Sequence, residues 1–139
     1  YIIRNSEHLA GFTEREVELI AQVARYHRKS APKAKHPEFA SLSPQDRDRV
    51  RWMAGMLRVA IGLDRSNRQV VHSVEVDARS GSEVRISAFV SEGDDASLEL
   101  FAGRARSDLL STVAGLDVVI EPESTGPRGK GAHPAYQHR

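Results

Sequence analysis

The sequence predicts an α+β fold: a helical unit over residues 1–68, a small β-β-β-α-β unit over 69–122, and a flexible tail over 123–139. Three observations predict it. Before residue 69 the apolar residues recur at helical spacing behind two helix-start signals. From Val70 they alternate at period two, and from Pro122 onward Pro, Gly and Ser recur without any apolar period.

The first start signal is Thr13-Glu14-Arg15-Glu16, a capping box in which the Thr13 hydroxyl accepts from the Glu16 amide and the Glu16 carboxylate reaches back. A helix is expected over about 14–29, with Val17, Ile20, Ala24 and His27 on one stripe and Pro32 beyond its end. The second signal is Ser43-Pro44, serine at the N-cap and proline at the first helical position, where a missing amide costs nothing. It opens a helix over about 44–64. Its expected inward stripe is Val50, Met53, Leu57, Ile61 and Asp64, with Arg51, Arg58 and Arg65 on a separate stripe at heptad spacing.

In the second unit, Val70, His72, Val74 and Val76 alternate with Val71, Ser73, Glu75 and Asp77. Arg79-Ser80-Gly81-Ser82 turns this run into Glu83 to Val90, which makes a hairpin. Glu92-Gly93-Asp94-Asp95 is the next turn. Ser97 to Ala102 is expected as a third strand, Arg104 to Ala114 as a helix ending near Gly115, and Leu116 to Glu121 as the last strand.

Composition narrows the chemistry. The chain has no cysteine, so there is no disulfide framework and no thiolate for zinc or nucleophilic catalysis, and a cytoplasmic location fits best. The longest apolar runs, Val113 to Leu116 and Val118 to Ile120, fall far short of the roughly 20 residues that span a bilayer, and no membrane is expected. Tyr1-Ile2-Ile3-Arg4 has neither an initiator methionine nor a signal-peptide pattern, and Tyr1 reads as an internal cut in a longer protein. The net charge of +1 conceals an asymmetry: +5 over residues 1–69, −6 over 70–122 and +2 in the tail. A basic partner surface is therefore expected in the first half.

Arg25-Tyr26-His27-Arg28-Lys29 sets three cations around a histidine at a helix C-terminus, with Lys33, Lys35 and His36 in the following loop. Guanidinium forks grip phosphate oxygens bidentately and lysines add point charge, so the cluster suits a polyphosphate. A helix C-terminus also attracts cations through its own dipole, which gives the same residues a purely structural explanation. His27 and Asp64 both continue apolar stripes, where an ionisable group requires a partner. The linker from Ser30 to Ser43 can span about 45 Å when extended, which permits the two to lie near each other. They are weak metal-ligand candidates, since two ligands are too few for a closed or a catalytic site; a helix cap or a buried His–Asp hydrogen bond is the structural alternative. There is no phosphate-binding glycine loop, no His-Glu-x-x-His and no nucleophile elbow, and Gly126 to Gly131 falls in the expected tail, where no strand is expected to lead into such a loop.

Taken together, Tyr1-Ile2-Ile3-Arg4-Asn5-Ser6, Leu9-Ala10-Gly11-Phe12, Arg25-Tyr26-His27-Arg28-Lys29, Leu57-Arg58-Val59-Ala60 and Leu63-Asp64-Arg65-Ser66 resemble the C-terminal region of the exopolyphosphatase and guanosine pentaphosphate phosphatase (Ppx/GppA) family. The resemblance covers about residues 1–121 and is sharpest before residue 67. It implies a larger enzyme whose actin-like N-terminal domains carry the catalytic acid and a magnesium site. It also implies a helical domain similar to the HD metal-phosphohydrolases, of which residues 1–68 are the C-terminal part, followed by a small α+β domain. This region would line a polyphosphate channel and aid homodimerisation, with no catalytic residue and no cofactor of its own. Carried onto this sequence, the phosphate-contacting candidates are Arg25, His27, Arg28, Lys29, Arg58 and Arg65. Gly62 departs from the pattern, standing where Asp or Glu is expected.

Three functions follow. The larger enzyme hydrolyses the terminal phosphoanhydride of polyphosphate or guanosine pentaphosphate, and this portion holds the anion. Alternatively this portion is a non-catalytic dimerisation or interaction module, or a regulatory site for guanosine tetraphosphate. No specific nucleic-acid partner is expected.

Overall fold

The capping box at Thr13 forms as its spacing requires: Thr13 Oγ1 accepts from the Glu16 amide at 3.2 Å, and Glu16 Oε2 accepts from the Thr13 amide at 2.8 Å. In this computed structural model, which describes residues 1–28 and 30–125, helix α1 runs Glu14–Tyr26. It stops short of the expected 29, with His27 as its C-cap. Its buried residues are Leu19, Ala21, Gln22 and Tyr26, while the expected stripe of Val17, Ile20, Ala24 and His27 is only half-buried. A polar anchor turns the helix this way: the buried Gln22 amide donates to the Glu38 carbonyl at 3.0 Å and to Glu18 at 2.9 Å.

Between the long helices, a single turn, α2 (Pro37–Ala40), delivers Phe39 to full burial, edge-on to the Tyr26 ring at 5.9 Å. Helix α3 runs Pro44–Leu63, started by Ser43 Oγ accepting from the Asp46 amide at 3.2 Å. Val50 of its expected stripe is buried, but Met53 and Asp64 are exposed and Leu57 and Ile61 are half-buried. The helix is covered from more than one side, so its buried residues are small ones at close approaches: Ala54, Gly55 and Gly62, beside Val50, Val59 and Leu63. A Cβ on Gly62 would lie 2.7 Å from the backbone of Ala102 and Gly103.

After α3 come β1 (Val71–Asp77) and β2 (Glu83–Ser91), an antiparallel hairpin. The expected third strand at Ser97–Ala102 is instead the start of a helix, α4 (Ser97–Ala105), followed by α5 (Asp108–Ala114) and β3 (Asp117–Thr125). The order is therefore β-β-α-α-β. Leu98, Leu100 and Ala102 fit a period of two, but Leu100, Ala102 and Gly103 are needed together under α3, and only a helix presents them together. The expected end near Gly115 is met, with that residue in the left-handed region at φ 66°. β3 pairs parallel to β2, giving a sheet ordered β1-β2-β3. Residues 123–125, expected in the tail, extend this strand; the rest of the expected tail, 126–139, lies outside the described residues.

Two apolar clusters result. Leu19, Tyr26, Phe39, Val50, Ala54 and Leu109 form one, and Val59, Leu63, Ile86, Ala88, Leu100 and Ile120 belong to the other. α3 contributes to both, and Leu109 of α5 reaches into the helical one. Among the described residues no helix is long and apolar enough to cross a membrane.

Candidate functional site: an arginine cavity at the end of α1

The last carbonyls of a helix lack intrahelical donors and carry its negative dipole end. At the end of α1 two arginines from distant parts of the chain satisfy them. Arg58, on α3, donates from Nε and Nη2 to the Tyr26 carbonyl at 2.9 and 2.6 Å. Arg106, at the end of α4, donates from Nη2 to the His27 carbonyl at 3.0 Å. A cavity of about 160 Å³ opens beside them, lined by Arg28, Arg58, Ala105, Arg106, Asp108 and Leu109.

Three arginines thus line one small concavity with a single acidic residue, Asp108. No ion pair involves Arg28, Arg58 or Arg106 among the described residues. Burial, and then the charge of Arg106, push the Arg58 guanidinium below its usual range. Arginine does not give up its proton under such pressure, so the mutual repulsion persists, and an anion entering the cavity would relieve it.

Of the expected contact residues, Arg28 and Arg58 meet here. Arg25 does not line the cavity; it pairs with Glu38 and lies over the Tyr26 ring, 5.3 Å from its centroid. Arg65 follows the end of α3, is exposed, and is not part of the cavity lining. The heptad stripe divides likewise, for Arg51 stacks over Phe39 at 5.2 Å. His27 gives its carbonyl to Arg106, while its buried Nδ1 has no hydrogen-bond partner among the described residues. Lys29 lies outside the described residues.

Asp64 caps α3, is exposed, and stands on the wall of a separate apolar groove. Among the described residues no three His, Asp or Glu side chains gather as a metal site would require. His27 and Asp64 therefore do not make a fit for a metal ion. The residue that sequence reasoning missed is Arg106. It belongs to the segment of net charge −6, and it meets His27 across 79 positions. The basic surface is thus not confined to the first half.

The chain has no significant match among curated proteins. Residues 1–100, from the start of the chain into α4, match the family description Ppx/GppA phosphatase, domain III. That match takes in α1, α3 and the hairpin, and with them Arg28 and Arg58 of the cavity, and on this basis the chain belongs to the Ppx/GppA phosphatase family.

Proposed function

We propose that this chain is the anion-holding portion of a phosphatase that removes the terminal phosphate of inorganic polyphosphate or guanosine pentaphosphate. In this reading residues 1–68 are the C-terminal part of an HD-like helical domain and 69–122 a small α+β domain. Magnesium and the catalytic acid are supplied by other domains of a cytoplasmic, homodimeric enzyme. The observation that carries the reading is the convergence of Arg28, Arg58 and Arg106 on one cavity with a single carboxylate. Capping of α1 accounts for the carbonyl contacts of Arg58 and Arg106, and the helix dipole for a cation at Arg28; neither accounts for the open space that the three residues line.

Phosphoryl oxygens would accept from the guanidinium N–H groups that the Tyr26 and His27 carbonyls leave over, and a chain of phosphates would continue the contact beyond the cavity mouth. Because each phosphate contact displaces counterions, affinity should fall as salt rises. The test is calorimetric titration of the 139-residue chain with medium-length polyphosphate at two salt concentrations, beside guanosine pentaphosphate and guanosine tetraphosphate. Arg28→Ala is expected to weaken polyphosphate binding about fivefold, the equivalent of about 1 kcal/mol for one exposed charge contact, and to flatten the salt dependence. Arg15→Ala should leave both unchanged. Equal affinity for wild type and Arg28→Ala would sink the assignment, and binding that requires the guanine base would shift it to a guanosine tetraphosphate regulatory site.

A further inference from the structure

The loop between α1 and α2 is tied to the end of α1 by one imidazole. His36, the N-cap of α2, is half-buried with its ring stacked on Tyr26, the centroids 5.5 Å apart and the planes 16° off parallel. Its Nδ1 lies 3.0 Å from the Tyr26 hydroxyl and 3.3 Å from the Lys33 amide nitrogen. The backbone closes the same turn, the His36 amide donating to the Lys33 carbonyl at 2.9 Å.

These contacts fix a protonation state. A backbone N–H only donates, so the Nδ1 that faces Lys33 is a bare lone pair. The Tyr26 hydroxyl meets the same nitrogen and therefore donates too, which leaves the ring proton on Nε2. The charges around the ring agree. Arg25 from α1 and Lys33 and Lys35 from the loop oppose a further proton, while Glu38 of α2, which favours one, is engaged by Arg25. From α3, Arg51 lies over the neighbouring Phe39 ring. Burial first, and then the three cations, push the His36 imidazole below its usual range. Stacking on Tyr26 suits either charge state and decides nothing.

We propose that His36 is a pH-operated latch, which holds the loop carrying Lys33 and Lys35 against Tyr26 while its ring is neutral and releases it on protonation. A proton on Nδ1 would set N–H against the Lys33 N–H. The Tyr26 hydroxyl, on a residue with no exposed surface, would also lose its acceptor, and it has no other partner among the described residues. The unfolded loop takes up the proton more readily than the folded one. The latch is therefore complete above the ordinary histidine value of 6.5 and is lost as pH falls through the lower folded value. It rests on the contacts around Tyr26 and not on the anion-holding reading.

Nitrogen NMR of the 139-residue chain reads the latch directly. At about pH 7.5 His36 should carry its proton on Nε2. Its titration should fall below 6.5, and Tyr26→Phe should move it upward, because the neutral ring then loses a donor. Protection of the Lys33 amide from hydrogen exchange, corrected for intrinsic rate, should drop at least about fivefold between about pH 7.5 and about pH 5. In His36→Asn, whose Oδ1 replaces Nδ1 as a non-titrating acceptor, that protection should persist across the same interval. A wild-type ring protonated on Nδ1 at about pH 7.5 overturns the proposal, as does Lys33 protection that is equal at both pH values. An equal loss in wild type and His36→Asn overturns it too, since the loop would then open for another reason. None of these results touches the cavity, whose own test is Arg28→Ala.

Discussion

Two arginine clusters hang on α3, one at each end, and they are built oppositely. At the N-terminal end Arg15 and Arg49 converge on the buried Asp46, with Arg15 donating at 2.8 and 2.5 Å and Arg49 at 2.8 Å. The Arg15 hydrogen bond, with that of Arg49, holds the Asp46 carboxyl down at about 2. At the other end Arg28, Arg58 and Arg106 meet around a cavity with one carboxylate in its lining and two backbone carbonyls as anchors. In the first cluster both guanidinium groups are committed to one carboxylate. The second leaves charge unspent beside open space, so arginine count says little about binding until the partners are known.

The comparison breaks most completely at Gly62. A side chain there would press into the α4 backbone at 2.7 Å and shift α4, with Arg106 at its end, away from Arg58. Gly62→Ala is expected to cost about 3 kcal/mol in chemical denaturation and to weaken polyphosphate binding, while the Asp46 cluster keeps its contacts. Next in size is Arg58→Met, which takes the charged donor from the Tyr26 carbonyl and should cost about 2 kcal/mol. Arg58→Lys should recover only part of this in the same measurement, since an ammonium cannot reproduce the two-pronged contact.

The last effect is present at neutral pH and is lost in acid. The Asp46 carboxyl titrates at about 2 in the folded chain against an ordinary 3.8, so its stabilisation is complete above the ordinary value and disappears as pH falls toward 2. Asp46→Asn should therefore melt below wild type at neutral pH, and the two curves should converge as pH approaches 2. Asp77, held at about 2 through Arg79, titrates over the same interval, so the difference between wild type and Asp46→Asn is the informative quantity.

What the sequence makes legible is local. The Thr13 and Ser43 helix starts, the hairpin and the Gly115 helix end each depend on residues a few positions apart, and each forms. The misassigned stretch, Ser97–Ala102, is one whose pattern fits two periods, and it is decided by Gly62 and Gly103 letting two helices approach, a contact made far along the chain. Gly62 itself looked like a missing acid and is instead the point where only a hydrogen fits. The cavity was legible by half for the same reason: Arg28 and Arg58 sit in recognisable motifs, whereas Arg106 acquires its meaning only from folding against His27.

The carbonyl anchors of Arg58 and Arg106 bear on binding in one further way. A free arginine surrenders up to about 2 kcal/mol of rotamer entropy when a ligand fixes it. Both guanidinium groups are already fixed on Tyr26 and His27 by folding, so most of that loss precedes any encounter with a phosphate. The cavity is in this sense set before it is filled, and Arg28, exposed at its wall and held by no side-chain hydrogen bond among the described residues, is left to adapt to whatever length of anion arrives.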